Sequence, residues 1–187
     1  MTKENETEVK WTLFYDPHSR EKGKKTKELV DKLHKELIEK LGKDLHSQPV
    51  KCEPTPYFGE YSTASTLANI DLAVVNKSKE VKVLCEIEER GASPKKIIGD
   101  IVNIFLAEKI MIRGAPHDLD NLYFILGIKV KESGKSAEKA DNLEGLIQDK
   151  IPKLRNRIKI VCDNNINNLI DKIKEKILDK IEALSSP

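Results

Sequence analysis

Ile70-Asp71-Leu72-Ala73-Val74-Val75, followed after the turn-like Asn76-Lys77-Ser78-Lys79 by Val81-Lys82-Val83-Leu84-Cys85-Glu86-Ile87-Glu88, decides the reading of this chain. Apolar runs of this length, rich in Val and Ile and parted by turn residues, predict two buried strands of an antiparallel hairpin. An acid opens the first run and two acids close the second. In a hairpin the start of one strand lies beside the end of the other, so Asp71 is expected to face the Glu86 to Glu88 end. Period-two alternation puts Glu86 and Glu88 on one face and Ile87 on the other. Three carboxylates at one sheet edge repel one another and raise their own pKa values unless a cation sits among them. A hard divalent ion is the expected neutraliser, Mg2+ first and Mn2+ as its substitute, with Asp71, Glu86 and Glu88 as oxygen ligands.

Outward from the hairpin, the pattern predicts a helix from Thr26, with Leu29, Val30, Leu33, Leu37, Ile38 and Leu41 at helical spacing and Gly42 as its stop. Val9 to Tyr15 reads as a preceding strand, Asp16 to Arg20 as a turn, and Val50 to Glu53 as a short strand. Gly59 to Ser65 reads as a loop. Downstream, Ser93 is a good N-cap and Pro94 suits the first helical position, opening a helix whose apolar face is Ile97, Ile98, Ile101, Val102 and Phe105 and which stops before Gly114. Leu122 to Ile128 predicts another buried strand. A polar linker is expected over 131–141, then a helix through Leu143, Ile147 and Ile151 that Pro152 bends or, better, restarts. Arg157 to Cys162 follows as a strand, and a helix from about Asn164 carries the stripe Ile166, Leu169, Ile170, Ile173, Ile177, Ile181 and Leu184.

Composition narrows the setting more than the function. The 187 residues suffice for one domain, and 33 Lys+Arg against 31 Asp+Glu leave a net charge of only +2. That balance neither demands nor forbids nucleic acid, because a local basic patch can coexist with acidic surface. Cys52, Cys85 and Cys162 lack CxxC spacing, which points away from a disulfide framework or a structural zinc site. His18, His34, His46 and His117 lack ligand spacing as well. A polar N-terminal stretch and the lack of any membrane-length apolar run lead to the expectation of a cytoplasmic protein with no membrane partner.

With Asp71 on one strand and Glu86-Ile87-Glu88 on the next, the chain resembles the PD-(D/E)XK superfamily of nucleases. Their shared core is a helix, a three-stranded meander, a helix and a strand, with an Asp on one strand and Glu-x-Lys on the following one. The resemblance implies an α/β fold with a restriction-endonuclease-like core, a central mixed sheet flanked by helices, within a single domain over 1–187. The core would cover about 26–130 and a helix-strand-helix extension about 141–187. It implies a Mg2+-dependent endonuclease acting on DNA, with RNA left open as substrate. Glu88 stands where the family has Lys. A minority of restriction enzymes are similar in carrying Glu-x-Glu, and Lys95 or Lys96 could supply the missing cation.

The chemistry of the residues agrees with such a site. Phosphodiester hydrolysis needs a metal to polarise the phosphoryl group and activate water, and a basic group to take a proton or stabilise charge. Asp71 and Glu86 would hold the metal, with Glu88 a further ligand or the general base. Ser93, Lys95 and Lys96 sit at a helix N-terminus, where free N–H groups favour phosphate, and Arg90 in the connecting turn could grip it bidentately. Glu36, on the first helix, is the candidate for a helix-borne acid. Two alternatives stand beside this reading: the strand-end acids are simply a polar sheet rim, or the fold is a nucleic-acid-binding or scaffold module without catalysis. The C-terminal stripe packs on the chain's own core or, alternatively, forms a homodimer seam.

Overall fold

The computed structural model describes residues 11–16, 35–45, 47–88, 92–131 and 135–185. Arg90, the expected helix start at Thr26, and His18, His34 and His46 lie outside them. The described chain is α/β, with a mixed six-stranded sheet between two helical layers. Its strands are β1 (Trp11–Tyr15), β2 (Val50–Lys51), β4 (Leu72–Asn76), β5 (Val81–Glu88), β8 (Tyr123–Lys129) and β9 (Ile158–Asp163), in the order β2-β1-β4-β5-β8-β9. The β1–β4 and β4–β5 pairs are antiparallel, and β1–β2, β5–β8 and β8–β9 are parallel.

The apolar runs take this form because the central strands are covered on both faces, which removes the need for polar alternation. Leu72, Ala73, Val74 and Val75 are all buried. One face packs against α2 (Pro94–Leu106) and α3 (Lys135–Lys150), the other against α1 (35–44) and α4 (Ile166–Ser185). The hairpin turn closes through Lys79 N–H to Asn76 O and Asn76 N–H to Glu80 O, both 3.0 Å, with Lys79 at φ 64°. Pro152 does restart the chain, as a short 3-10 turn over Pro152–Leu154.

Three expectations need correcting, and after the helix that opens at Ser93 a hairpin appears that was not expected. The meander is β1-β4-β5: the segment after Pro49 contributes only the short edge strand β2, and α1 falls between the first two meander strands. The helix after Ser93 ends at Leu106, and the chain then forms a hairpin of β6 (Lys109–Ile112) and β7 (Ala115–Asp118). With β3 (Thr55–Tyr57) this makes a second, three-stranded sheet. Its two-residue turn, Arg113 and Gly114, has positive φ at both positions, as a tight hairpin turn requires. Helix α3 begins at Lys135, inside the expected linker. Gly42 lies within α1, not at its end, and an added Cβ there would be 3.1 Å from both Pro49 Cγ and Ser47 O.

The stripe on α4 is consumed inside the chain. Leu169, Ile170, Ile173, Ile177 and Ile181 are buried against the sheet, leaving Leu184 exposed. The closest approach is at Gly127 on β8, where an added Cβ would overlap Ile173 Cδ1 and lie 3.3 Å from its Cγ1. Gly127→Ala is therefore expected to destabilise the fold by about 1–3 kcal/mol, the usual cost of overpacking. Adding Ile173→Val removes the colliding methyl and should restore part of the loss. Chemical denaturation of both single variants and the double variant measures this, and fully additive effects would contradict the contact.

Candidate active site at the carboxylate end of the sheet

The β4–β5 register decides where the acids stand. Leu72 lies opposite Cys85 and Ala73 opposite Leu84, so one step further Asp71 comes beside Glu86. The bulge between Val74 and Val75 leaves this end of the ladder undisturbed. Leu84 belongs to the α2-side core, whereas Cys85 and Ile87 belong to the opposite one, so Glu86 and Glu88 project towards α2 as alternation predicts. Asp71 is tied down across the strands, its Oδ2 accepting the Ile87 N–H at 2.7 Å.

Helix α2 brings the cation. The Ser93 Oγ accepts the Lys96 N–H at 3.3 Å and caps the helix, with Pro94 at its first position. Lys96 then reaches back so that its Nζ pairs with Glu88 Oε1, and it lies 3.5 Å from Asp100 Oδ2 one turn along. The Glu88 side chain is only 13% exposed, so this pair is largely shielded. Burial alone would lower the Lys96 pKa, but Glu88, Asp100 and Glu86 outweigh it and hold the ammonium above its ordinary value. Lys95, one residue earlier, is exposed.

Glu86 is the most stressed group here. Burial pushes its carboxyl well above the usual carboxylate range, with Asp71, Glu88 and Asp100 adding repulsion and Lys96 relieving only part of it. Its Oε2 is cut off from solvent and makes no hydrogen bond. The same negative end reaches through the strand to Cys85, whose buried thiol is pushed up first by burial and then by Asp71 and Glu86. That thiol stays protonated and inert.

Two acids that the sequence left unassigned also stand here. Asp16, expected in a turn, is 6% exposed and continues the β1–β4 ladder, donating its N–H to Asp71 O at 3.1 Å. Strand alternation carries it to the same row and face as Asp71 and Glu86. Asp100 on α2 borders, with Glu86, a cavity of about 20 Å³ walled by Asn69, Ile70, Ile104 and Phe124. Glu36 belongs to α1, whose buried Leu37, Ile38 and Leu41 pack on the opposite face of the sheet. The acid that α2 contributes was hidden because only the register of β5 against that helix identifies the inward turn.

A larger hollow of about 390 Å³ lies at the other end of the sheet, near the start of β8. Two of its lysines are matched by acids, Lys159 with Glu144 and Lys176 with Asp179, both at 3.1 Å, and Lys180 lies over the Tyr123 ring. Among the described residues, no group of three or more His, Cys, Asp and Glu side chains is drawn together as a ready metal cage. No described helix is long and apolar enough to cross a membrane. Comparison with protein-family models, with curated proteins and with solved structures finds no match to this chain.

Proposed function

We propose that this protein is a Mg2+-dependent endonuclease hydrolysing phosphodiester bonds in DNA, on a restriction-endonuclease-like core. The observation that carries the reading is the convergence of Asp71 and Glu86 from adjacent strands with Lys96, which α2 presents to Glu88 at the same sheet end. In support, β1, β4 and β5 form an antiparallel meander followed by the helix α2 and the parallel strand β8, the order of elements such a core would need. The departure is α1, which follows the first meander strand instead of preceding it.

The donors suit a hard divalent ion. Glu86 offers an oxygen that has no hydrogen-bond partner, and Asp71 stands beside it. Mg2+ is commonly held by one or two carboxylates, with water and substrate phosphate completing its sphere, so a cage of three side chains is not required. When bound, the ion supplies polarisation of the phosphoryl group and activation of water. The chain's own groups do the rest. The Ile87 N–H fixes the Asp71 carboxylate, and Lys96 takes the place of the lysine in Glu-x-Lys, placing positive charge where a phosphate gains negative charge. Glu88 orients Lys96. The exposed Lys95 and the first turn of α2 offer further contacts to the phosphate backbone.

Purified protein incubated with supercoiled plasmid and Mg2+ or Mn2+ is expected to nick or linearise it, and chelation should stop the reaction. Absence of cleavage with either metal would overturn the assignment. A second reading is favoured by one observation: Glu88 already binds Lys96, so the site is partly neutralised without an ion. This reading is a nuclease-fold module that binds nucleic acid without cutting it. DNA retention in a mobility-shift assay, with no heat of Mg2+ binding by calorimetry, would select it.

A further inference from the structure

We propose that Asp100 on α2 is a ligand of the divalent cation, acting with Glu86 across the small cavity that both side chains line. The inference rests on the metal-dependent reading above and adds to it a residue that the strand motif does not contain. Two independent observations point to a ligand between these groups. Glu86 Oε2 is shut away from solvent and unpaired, although it borders an open space. Asp100 Oδ2 is also shut away and makes no hydrogen bond, its nearest cation being Lys96 Nζ at 3.5 Å, beyond good hydrogen-bonding distance.

Buried carboxylate oxygens without hydrogen bonds are costly, and here Glu86 Oε2 has no partner while Asp100 Oδ2 has only the long contact to Lys96, so a compensating group is needed in the cavity between them. The cavity of about 20 Å³ admits one water-sized sphere and little more. Its other walls, Ala68, Asn69, Ile70, Ile104 and Phe124, carry no charge. A bare Mg2+ or Mn2+ fits the space, and Glu86 and Asp100 offer it hard oxygen donors. Lys96 compensates only in part: its ammonium pairs with Glu88 and lies 3.5 Å from Asp100 Oδ2, while Glu86 Oε2 is left without a hydrogen bond. Helix α2 would thus contribute to metal and phosphate alike: Asp100 to the ion, and Lys96, one turn earlier, to the substrate's charge.

Titration of the purified protein with Mn2+ alone, read by the loss of the free-ion paramagnetic resonance signal, tests this without any nucleic acid. Asp100→Asn is expected to weaken Mn2+ binding at least tenfold, Asp71→Asn to weaken it as well, and Asp179→Asn, at the far end of the sheet, to leave it unchanged. Melting without metal should show Asp100→Asn folded, since it removes a buried charge; Asp100→Ser provides a second variant of smaller size. Wild-type affinity in both Asp100 variants, with loss in Asp71→Asn, would overturn the Asp100 assignment and leave the metal-dependent reading standing. Loss in the Asp100 variants alone would uphold Asp100 and remove Asp71 as a ligand. No Mn2+ binding by the unaltered protein would overturn both.

Discussion

Asp71→Ala is expected to abolish metal-dependent plasmid cleavage, with a loss of at least about 100-fold, because even partners one step removed from a metal commonly cost 10–100-fold when lost. The variant should also be less stable. Asp71 Oδ2 accepts the Ile87 N–H at 2.7 Å, a charge-assisted bond worth roughly 1.5–3 kcal/mol. Asp71→Asn separates the two effects, since the amide oxygen can still accept that N–H while the charge is gone. The asparagine variant should keep most of the stability and still fail to cleave. Cleavage surviving in either variant, at unchanged metal concentration, would contradict the site.

Glu86→Gln is expected to remove activity to a similar degree while making the metal-free protein more stable near neutral pH. Burial, followed by repulsion from Asp71, Glu88 and Asp100, raises the Glu86 carboxyl well above its ordinary value. In the unfolded chain a glutamate titrates near about pH 4.3. Between that pH and the raised folded value, the folded protein holds the proton and the unfolded chain does not, so folding stability falls as pH rises. Below the window both states are protonated and above it both are ionised, so the contribution is flat on either side. Denaturation across this range should show the falling limb in the parent protein and its reduction in Glu86→Gln. A saturating divalent ion should offset the loss in the parent but not in the variant, by the mass-action stabilisation that any ligand of the native state provides. A variant that is less stable at every pH would show instead that the Glu86 charge is well compensated.

The hairpin, its carboxylates and the capping of α2 were legible because each depends on short-range pattern. Alternation sets the face of Glu86 and Glu88, and Ser93-Pro94 marks a helix start wherever it folds. The partner of β4 was not legible: Trp11 to Tyr15 has strand propensity, but nothing local says that it pairs with residues about sixty positions later. That pairing carries Asp16 from an expected turn to a buried position beside Asp71. The β6–β7 hairpin was hidden because its strands, Lys109–Ile112 and Ala115–Asp118, are only four residues each and show little apolar pattern. Helix α2 ends where Ala107 turns extended at ψ 135°, and the positive φ of Arg113 and Gly114 then folds the hairpin back on itself. On α2 itself, Ile97, Ile101 and Ile104 form the buried face while Ile98 and Val102 are largely exposed. The face that turns Asp100 inward is thus rotated from the one that periodicity alone suggests.

The claim beneath all of this is that a divalent cation resides among the acids where β4 begins and β5 ends. Anomalous scattering from crystals soaked in Mn2+ tests it most directly, since it requires neither a substrate nor turnover. One peak is expected between Glu86 and Asp100, at the sheet end where Asp71 stands, with Lys96 outside its coordination sphere. Well-diffracting soaked crystals with no peak at that sheet end, and those carboxylates turned away from one another, would contradict it.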